Sequence, residues 1–300
     1  MKPLRYFSTF TGIGGLDFGL EKMGAECVGF SEIKESSIGI YKGHYPDHVN
    51  YGDLTKIDPK ALPDFDVFTG GFPCQSFSLS GKQKGFSDRR GQMIFYIYDI
   101  LMAKKPEYVV LENVKGIMMH DGGRTIRSVF KLLQSAGYFV RIVLLSSIHY
   151  GSAQARERVI FLCRRSADFP VKFPESVDSE KRFRDIRDHK GPFKYLSETA
   201  MRRLDEDGGK GFIVLGGYDR VNTLTTSISS SGRDRIITQE PNGLFRYLTD
   251  LEGERLQCFP DGWTKSARLS AEKWFAIGNA VNCAVSEYLF TNYLKGLWWE

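Results

Sequence analysis

Residues 70–78 read GGFPCQSFS, a cysteine set directly after a proline in a polar, glycine-flanked loop. An apolar run, Phe65–Thr69, leads into it, so Cys74 stands at a strand's C-terminal end, the edge along which open α/β sheets bind ligands. A lone loop cysteine is more often a packing residue, but here the chain supplies an acid to go with it. Glu112 ends the apolar run Tyr108–Leu111 and points to the same edge. Partial burial there would raise its pKa and let it carry a proton. Its plainer reading is a cap, for which the adjacent Asn113 is better suited. Gln154-Ala-Arg156-Glu157-Arg158 enters the strand at Val159 and, read alone, is a solvated charge cluster.

A second constellation concerns a cofactor. Phe10-Thr-Gly12-Ile-Gly14-Gly15 follows the first strand pattern and opens a helix, a turn that lets backbone approach a ligand and favours an anion at the helix N-terminus. A dinucleotide fingerprint would need glycine at position 17; the chain has Asp17, which would repel a pyrophosphate. Glu32 ends the second strand, where a carboxylate accepts ribose hydroxyls, and Asp53 follows Gly52 at the next strand end. S-adenosylmethionine carries an amino-acid carboxylate, a ribose and an adenine but no phosphate, and so fits better. A tight turn with surface acids is the alternative.

These residues need a sheet to hold them. Strand patterns at Arg5–Phe10, Cys27–Phe30, Phe65–Thr69, Tyr108–Leu111, Val140–Leu145 and Val159–Cys163 alternate with helical ones at Gly15–Met23, Glu35–Tyr41, Met93–Leu101 and Ile126–Leu133. Such alternation predicts a doubly wound, mostly parallel α/β sheet with helices on both faces. Residues 166–270 are richer in Gly, Ser, Asp and Arg, and read as a smaller irregular domain; Val281, Val285, Tyr288 and Leu289 repeat at helical spacing and return to the first. The expected division is 1–175, 176–270 and 271–300.

The 300 residues are 42% hydrophobic and 26% charged, with a net charge of +5, an ordinary globular balance that permits a polyanionic partner without requiring one. The apolar runs are too short to span a bilayer, and Met1–Phe10 lacks a signal-peptide stretch. Five cysteines with no C-x-x-C pair or His/Cys cluster argue against a zinc site and for reduced thiols; no metal is expected.

In order, the blocks FSTFTGIGGLDFGLE, GFSE, GD, GGFPCQSFS, ENV, QARERV, RLQCFPDGW and GNAV resemble the DNA cytosine-5 methyltransferases from residue 7 to 282. The resemblance implies a Rossmann-like methyltransferase fold with a target-recognition domain. It also implies methylation of a flipped cytosine in double-stranded DNA, with S-adenosylhomocysteine as coproduct. It makes Cys74 the nucleophile at carbon 6 and Glu112 the partner of ring nitrogen 3, with Arg156 and Arg158 holding the base and negative groups. Phe10, Gly12, Gly14, Gly15, Glu32, Ile33, Asp53, Leu54, Pro73, Asn279 and Val281 match cofactor positions, Glu32 for ribose and Asp53 for adenine.

Three departures stand out: Ser8 where the family often has Asp, Ile33 where an aromatic frequently follows the ribose acid, and Cys258 in place of a glycine. Ser78, Ser80, Lys82, Lys84, Arg89 and Arg90 would lie in a loop that closes on DNA, and Thr223, Thr225, Arg233 and Arg235 in the recognition region. A monomeric cytoplasmic enzyme of bacterial or phage type is expected, with a restriction endonuclease as functional partner. A tRNA methyltransferase and an inactive DNA-binding relative are the alternatives.

Overall fold

The structure, a computed structural model, describes residues 2–73, 93–169, 179–206, 211–226 and 235–294. Cys74, Ser78, Ser80, Lys82, Lys84, Arg89, Arg90 and Arg233 lie outside them. The N-terminal part runs β1 (Arg5–Thr9), α1 (Gly15–Lys22), β2 (Glu26–Ser31), α2 (Glu35–Lys42), β3 (Val67–Gly71), α3 (Met93–Lys104), β4 (Tyr108–Val114), α4 (Arg124–Ser135), β5 (Phe139–Ser146), β6 (Gln154–Ala155) and β7 (Glu157–Arg164). Next come α5 (Phe183–Ile186), α6 (Glu198–Glu206), β8 (Phe212–Leu215), β9 (Val221–Asn222), β10 (Arg235–Gln239) and β11 (Phe245–Tyr247). The described chain closes with α7 (Asp250–Leu256), α8 (Ser270–Asn279) and α9 (Cys283–Tyr288), which runs on into a π-helical stretch, Leu289–Leu294.

Six strands form the main sheet in the order β2-β1-β3-β4-β7-β5. Alternate residues feed opposite faces, as the two-residue strand period requires. In β4, Val109 and Leu111 pack with α3 and α4, through Ile97, Leu101, Val129 and Leu133. Tyr108 and Val110 pack on the other face with Leu16 and Leu20 of α1 and Val285 of α9. Both faces are thus covered, and the strands carry near-continuous apolar runs for that reason.

Parallel pairing holds from β2 through β4, but β7 runs antiparallel to both β4 and β5. The sheet is thus mostly parallel, as expected, with β7 as its antiparallel strand. A parallel return needs a crossover of a dozen or more residues, usually helical. The connection Ser147–Arg156 holds only a 3-10 turn and β6. The last helix also begins later than its apolar spacing implied. Val281 lies before it, and Asn282 caps it by accepting from the Ala284 N–H.

The chain expected to be irregular contains a three-stranded sheet, β11-β10-β8, and a short β6-β9 ladder. Phe183, Leu215, Val221, Ile236 and Leu256 make its core together with Trp274 and Ile277 of α8. Ala276 and Ala280 pack instead with Ile13, Ile40, Phe259 and Trp263. No helix among the described residues is long and apolar enough to cross a membrane.

Candidate active site

The strand order places β2 on one side of β1 and β3 on the other, so the chain reverses direction across the sheet at β1/β3. Ligands of open α/β sheets bind in the crevice that such a reversal opens. A cavity of about 720 Å³ lies there, at the C-terminal ends of β1, β3 and β4.

One wall is the glycine turn. Gly12 and Gly14 have φ of 59° and 87°, values that glycine adopts without strain. Gly15 meets the C-terminal segment so closely that a Cβ there would lie 2.4 Å from the Val281 carbonyl oxygen. Trp263 Nε1 donates to the Ile13 carbonyl and fixes the same turn from behind. Glu32 Oε2 accepts from Gly12 N–H at 2.9 Å, and its Oε1 accepts from Ile33 and Lys34 N–H at 2.8 Å each. Three donors hold this carboxylate in place and leave acceptor capacity for one further hydroxyl.

Asp17 lies beneath the turn, fully buried, accepting from Ser8 Oγ at 2.7 Å and Tyr41 OH at 2.6 Å. Burial pushes its pKa up to about 6, while those two hydroxyls oppose the shift. An aspartate at position 8 would face Asp17 across the first of these bonds, so the serine suits this chain.

The opposite wall carries the acid. Glu112 and Arg158 sit at the paired ends of β4 and β7, with Arg158 Nε 2.7 Å from Glu112 Oε1. Both are largely buried. Burial raises the Glu112 pKa, and Arg158 and then Arg156 pull it back. A Cβ on Gly71 would lie 3.1 Å from Glu112 Oε2, so the acid stands against the strand end that leads to Cys74. Asn113 Nδ2 donates to the Phe72 carbonyl at 2.8 Å, holding the backbone just ahead of Pro73. From sequence alone Asn113 reads only as a cap. Its tie to another strand crosses too much sequence for local spacing to reveal.

Phe10, Gly12, Gly15, Glu32, Ile33, Pro73, Glu112, Arg156, Arg158, Asn279 and Val281 all line this one cavity. Gly14, Asp53 and Leu54 do not. Gly14 turns the chain behind the wall, next to the Tyr41 ring. Asp53 caps a 3-10 turn, its Oδ1 accepting from N and Oγ1 of Thr55, and Leu54 is buried in the core with Phe7 and Phe65. The expected adenine contact of Asp53 is therefore not part of the cavity wall.

Arg156 needs a larger correction. Its guanidinium donates to the backbone carbonyls of Leu224, Gly278 and Ala280, at 3.0, 2.9 and 2.8 Å. The side chain is spent on joining three segments, and only the buried Nε lacks a protein partner. Burial, followed by the nearby Arg158 charge, lowers its pKa.

In the segment expected to contact DNA, Thr223 Oγ1 donates to the Ala155 carbonyl, and Thr225 is exposed beside Gly278. Arg235 starts β10 with its guanidinium 5.5 Å over the Phe212 ring. It also lines a second cavity of about 880 Å³, which shares no residue with the first and has no comparable acid–arginine pair converging on a strand end.

Comparison with known proteins agrees with this architecture. Residues 4–295 match the family C-5 cytosine-specific DNA methylase. Type II methyltransferase M.NlaX of Neisseria lactamica is 34% identical over 284 residues, covering 91% of this chain and 90% of its own. Type II methyltransferase M.NgoBI of Neisseria gonorrhoeae is 33% identical over 288 residues, covering 93% and 89%. Among solved structures, the Dnmt2 methyltransferase of S. pombe superposes with a TM-score of 0.79 at 22% identity, over 98% of this chain and 99% of that one. Methyltransferase EhMeth of Entamoeba histolytica gives 0.80 at 21%, over 99% of both; these two share the fold. With its cavity, its buried acid and its full-length match, the chain belongs to the C-5 cytosine-specific DNA methylases and is a DNA cytosine-5-methyltransferase.

Proposed function

We propose that the cavity binds S-adenosylmethionine beside a cytosine flipped out of double-stranded DNA, and that Cys74, Glu112 and Arg158 carry the chemistry. The observation that supports this most is the buried Glu112–Arg158 pair standing against Gly71, three residues before Cys74.

The walls suit the cofactor. Glu32 offers acceptor capacity to a ribose, and the Gly15–Val281 approach leaves room where a side chain would intrude. Asn279 and Val281 close the same side, with Phe10, Gly12, Ile33 and Pro73 around them. When bound, the cofactor supplies the methyl group on its sulfonium and leaves as S-adenosylhomocysteine.

The protein's own residues do the rest. The Cys74 thiolate forms a bond to carbon 6 of the base, which pushes electron density to carbon 5. Glu112, whose pKa burial raises, hydrogen-bonds ring nitrogen 3 and stabilises the charge this addition creates. Arg158 orients Glu112 and balances its charge when the proton is given up. After methylation, carbon 5 loses its proton, the carbon–sulfur bond breaks and the thiolate returns. The base must leave the stack for any of these atoms to meet.

Residues 176–270 are proposed as the target-recognition domain between the catalytic segments 1–175 and 271–300, with Thr223, Thr225, Arg233 and Arg235 as its DNA contacts. Ser78, Ser80, Lys82, Lys84, Arg89 and Arg90 are proposed to engage the backbone. We read the enzyme as a cytoplasmic monomer, with a restriction endonuclease of the same sequence specificity as functional partner.

Transfer of labelled methyl groups to duplex DNA tests this reading. Cys74→Ser should abolish transfer and keep S-adenosylhomocysteine binding, and Glu112→Gln should slow transfer at least about 100-fold. Appreciable turnover by Cys74→Ser would refute the nucleophile, and a near-normal rate for Glu112→Gln would refute the acid.

A further inference from the structure

Helix α8 presents three faces with different partners. Trp274 and Ile277 point into the small-sheet core, and Ala276 and Ala280 toward Ile13 and Ile40. Phe275 and Asn279, one turn apart, face the cavity, and Asn279 Nδ2 donates to the Phe275 carbonyl. Phe275 is a large aromatic side chain left 38% exposed in a cavity wall, while both its chain neighbours are buried. Burying it there would be favourable, and among the described residues no apolar side chain covers it in the core clusters.

Across the cavity from α8 runs the segment Glu32–Lys34. Its carboxylate is fixed by three N–H donors, Ile33 is 69% exposed, and Lys34 Nζ lies 4.7 Å above the Phe275 ring. This cation–π contact joins the two walls and places the ring face within reach of the segment that carries Glu32. Of the other phenylalanines in the wall, Phe72 is buried in the core, and Phe10 belongs to the glycine turn with a φ of 51°.

We propose that Phe275 is a cofactor-contacting residue whose ring packs on the nucleoside part of S-adenosylmethionine, displacing the Lys34 ammonium from its face. The assignment rests on the cavity being the cofactor site. The chemistry is that of any purine nucleoside: an apolar sugar face and a π-face, both of which gain by covering an exposed aromatic ring, next to a carboxylate that anchors a ribose hydroxyl. The contact would form equally in substrate and product, so it contributes uniform binding and little to the chemical step.

The test compares the wild type, Phe275→Ala and Phe275→Tyr by calorimetric titration. The probes are S-adenosylhomocysteine and methylthioadenosine, which keeps the nucleoside but lacks the amino-acid group. Steady-state methylation of duplex DNA is measured in parallel. Phe275→Ala should weaken both ligands about tenfold and raise KM for S-adenosylmethionine to match, with kcat within about twofold. Phe275→Tyr should restore both affinities, and the melting temperature should not move. Unchanged affinities in Phe275→Ala, or weakening confined to S-adenosylhomocysteine, would overturn the assignment. Failure of the wild type to bind either probe would instead remove the cofactor reading of the cavity, and the assignment with it.

Discussion

Glu112 and Asp17 show how two carboxylates beside one cavity acquire different properties. Both are buried, and burial raises both pKa values. Glu112 has a guanidinium against it; Asp17 has only hydroxyls, from Ser8 and Tyr41. A carboxylate whose pKa is raised on folding, here from 3.8 to about 6, costs stability above pH 6 and is relieved of that cost as the pH falls toward 4. Asp17→Asn removes the titration but not the side chain's shape. The difference in unfolding free energy between variant and wild type should therefore shift by about 2.4 kcal/mol between pH 8 and pH 4, with the variant favoured at high pH. Urea unfolding at the two pH values measures it, and a gap that does not change with pH would contradict the buried charge. Cys258 is a further residue-scale feature. Its φ of 59° is a left-handed conformation that a glycine would hold without strain, and this is the position where the chain departs from the family's glycine.

At the scale of elements, the strand ends carry the design. β3 continues through Gly70 and Gly71, pairing Gly70 with Thr9 on one side and Leu111 on the other. A Cβ on Gly70 would lie 2.3 Å from Thr9 Oγ1 and 3.1 Å from the Thr9 carbonyl. The strand cannot move away without breaking its ladders. Gly70→Ala should cost about 2–3 kcal/mol and, by shifting the strand that delivers Cys74, reduce methylation more than it reduces S-adenosylhomocysteine binding. Thermal unfolding with parallel rate and binding measurements decides this; an alanine variant with wild-type stability and rate would show that the strand end has slack. The antiparallel β7 matters for the same reason. Its N-terminal end meets the C-terminal end of β4, and this alone brings Arg158 to Glu112.

For the whole molecule, Arg156 is the joint. Its donors reach Leu224, just after β9, and Gly278 and Ala280 at the end of α8, so one side chain ties the β8–β11 region to a wall of the cavity. Gln154 adds to the joint by accepting from Leu224 N–H and donating to the Leu256 carbonyl. Arg156→Met keeps volume but leaves three carbonyls without their charged donor. It should lower the unfolding free energy by about 3 kcal/mol or more, and Arg156→Lys should recover only part of the loss, because one ammonium cannot reproduce the fork. Equilibrium unfolding in urea tests this, and a loss under about 1 kcal/mol would show that the joint is held elsewhere.

The sequence by itself was enough for the order of strands and helices, the glycine turn, Glu32 at a strand end, and Glu112 beside the end of the strand Val67–Gly71. Apolar periodicity and turn residues are local, and a strand's end determines which edge its last side chain reaches. Only the tertiary structure decided what those side chains touch. The antiparallel β7, Asn113 bonded to Phe72, Asp17 shared between Ser8 and Tyr41, and Asp53 turned to its own Thr55 all depend on which segments lie alongside one another. Arg156 and Arg158 illustrate the limit. Two positions apart in one short motif, they were assigned a single role. One forms an ion pair with the acid and the other binds backbone carbonyls, because the chain passes from β6 into β7 between them and each meets a different neighbour.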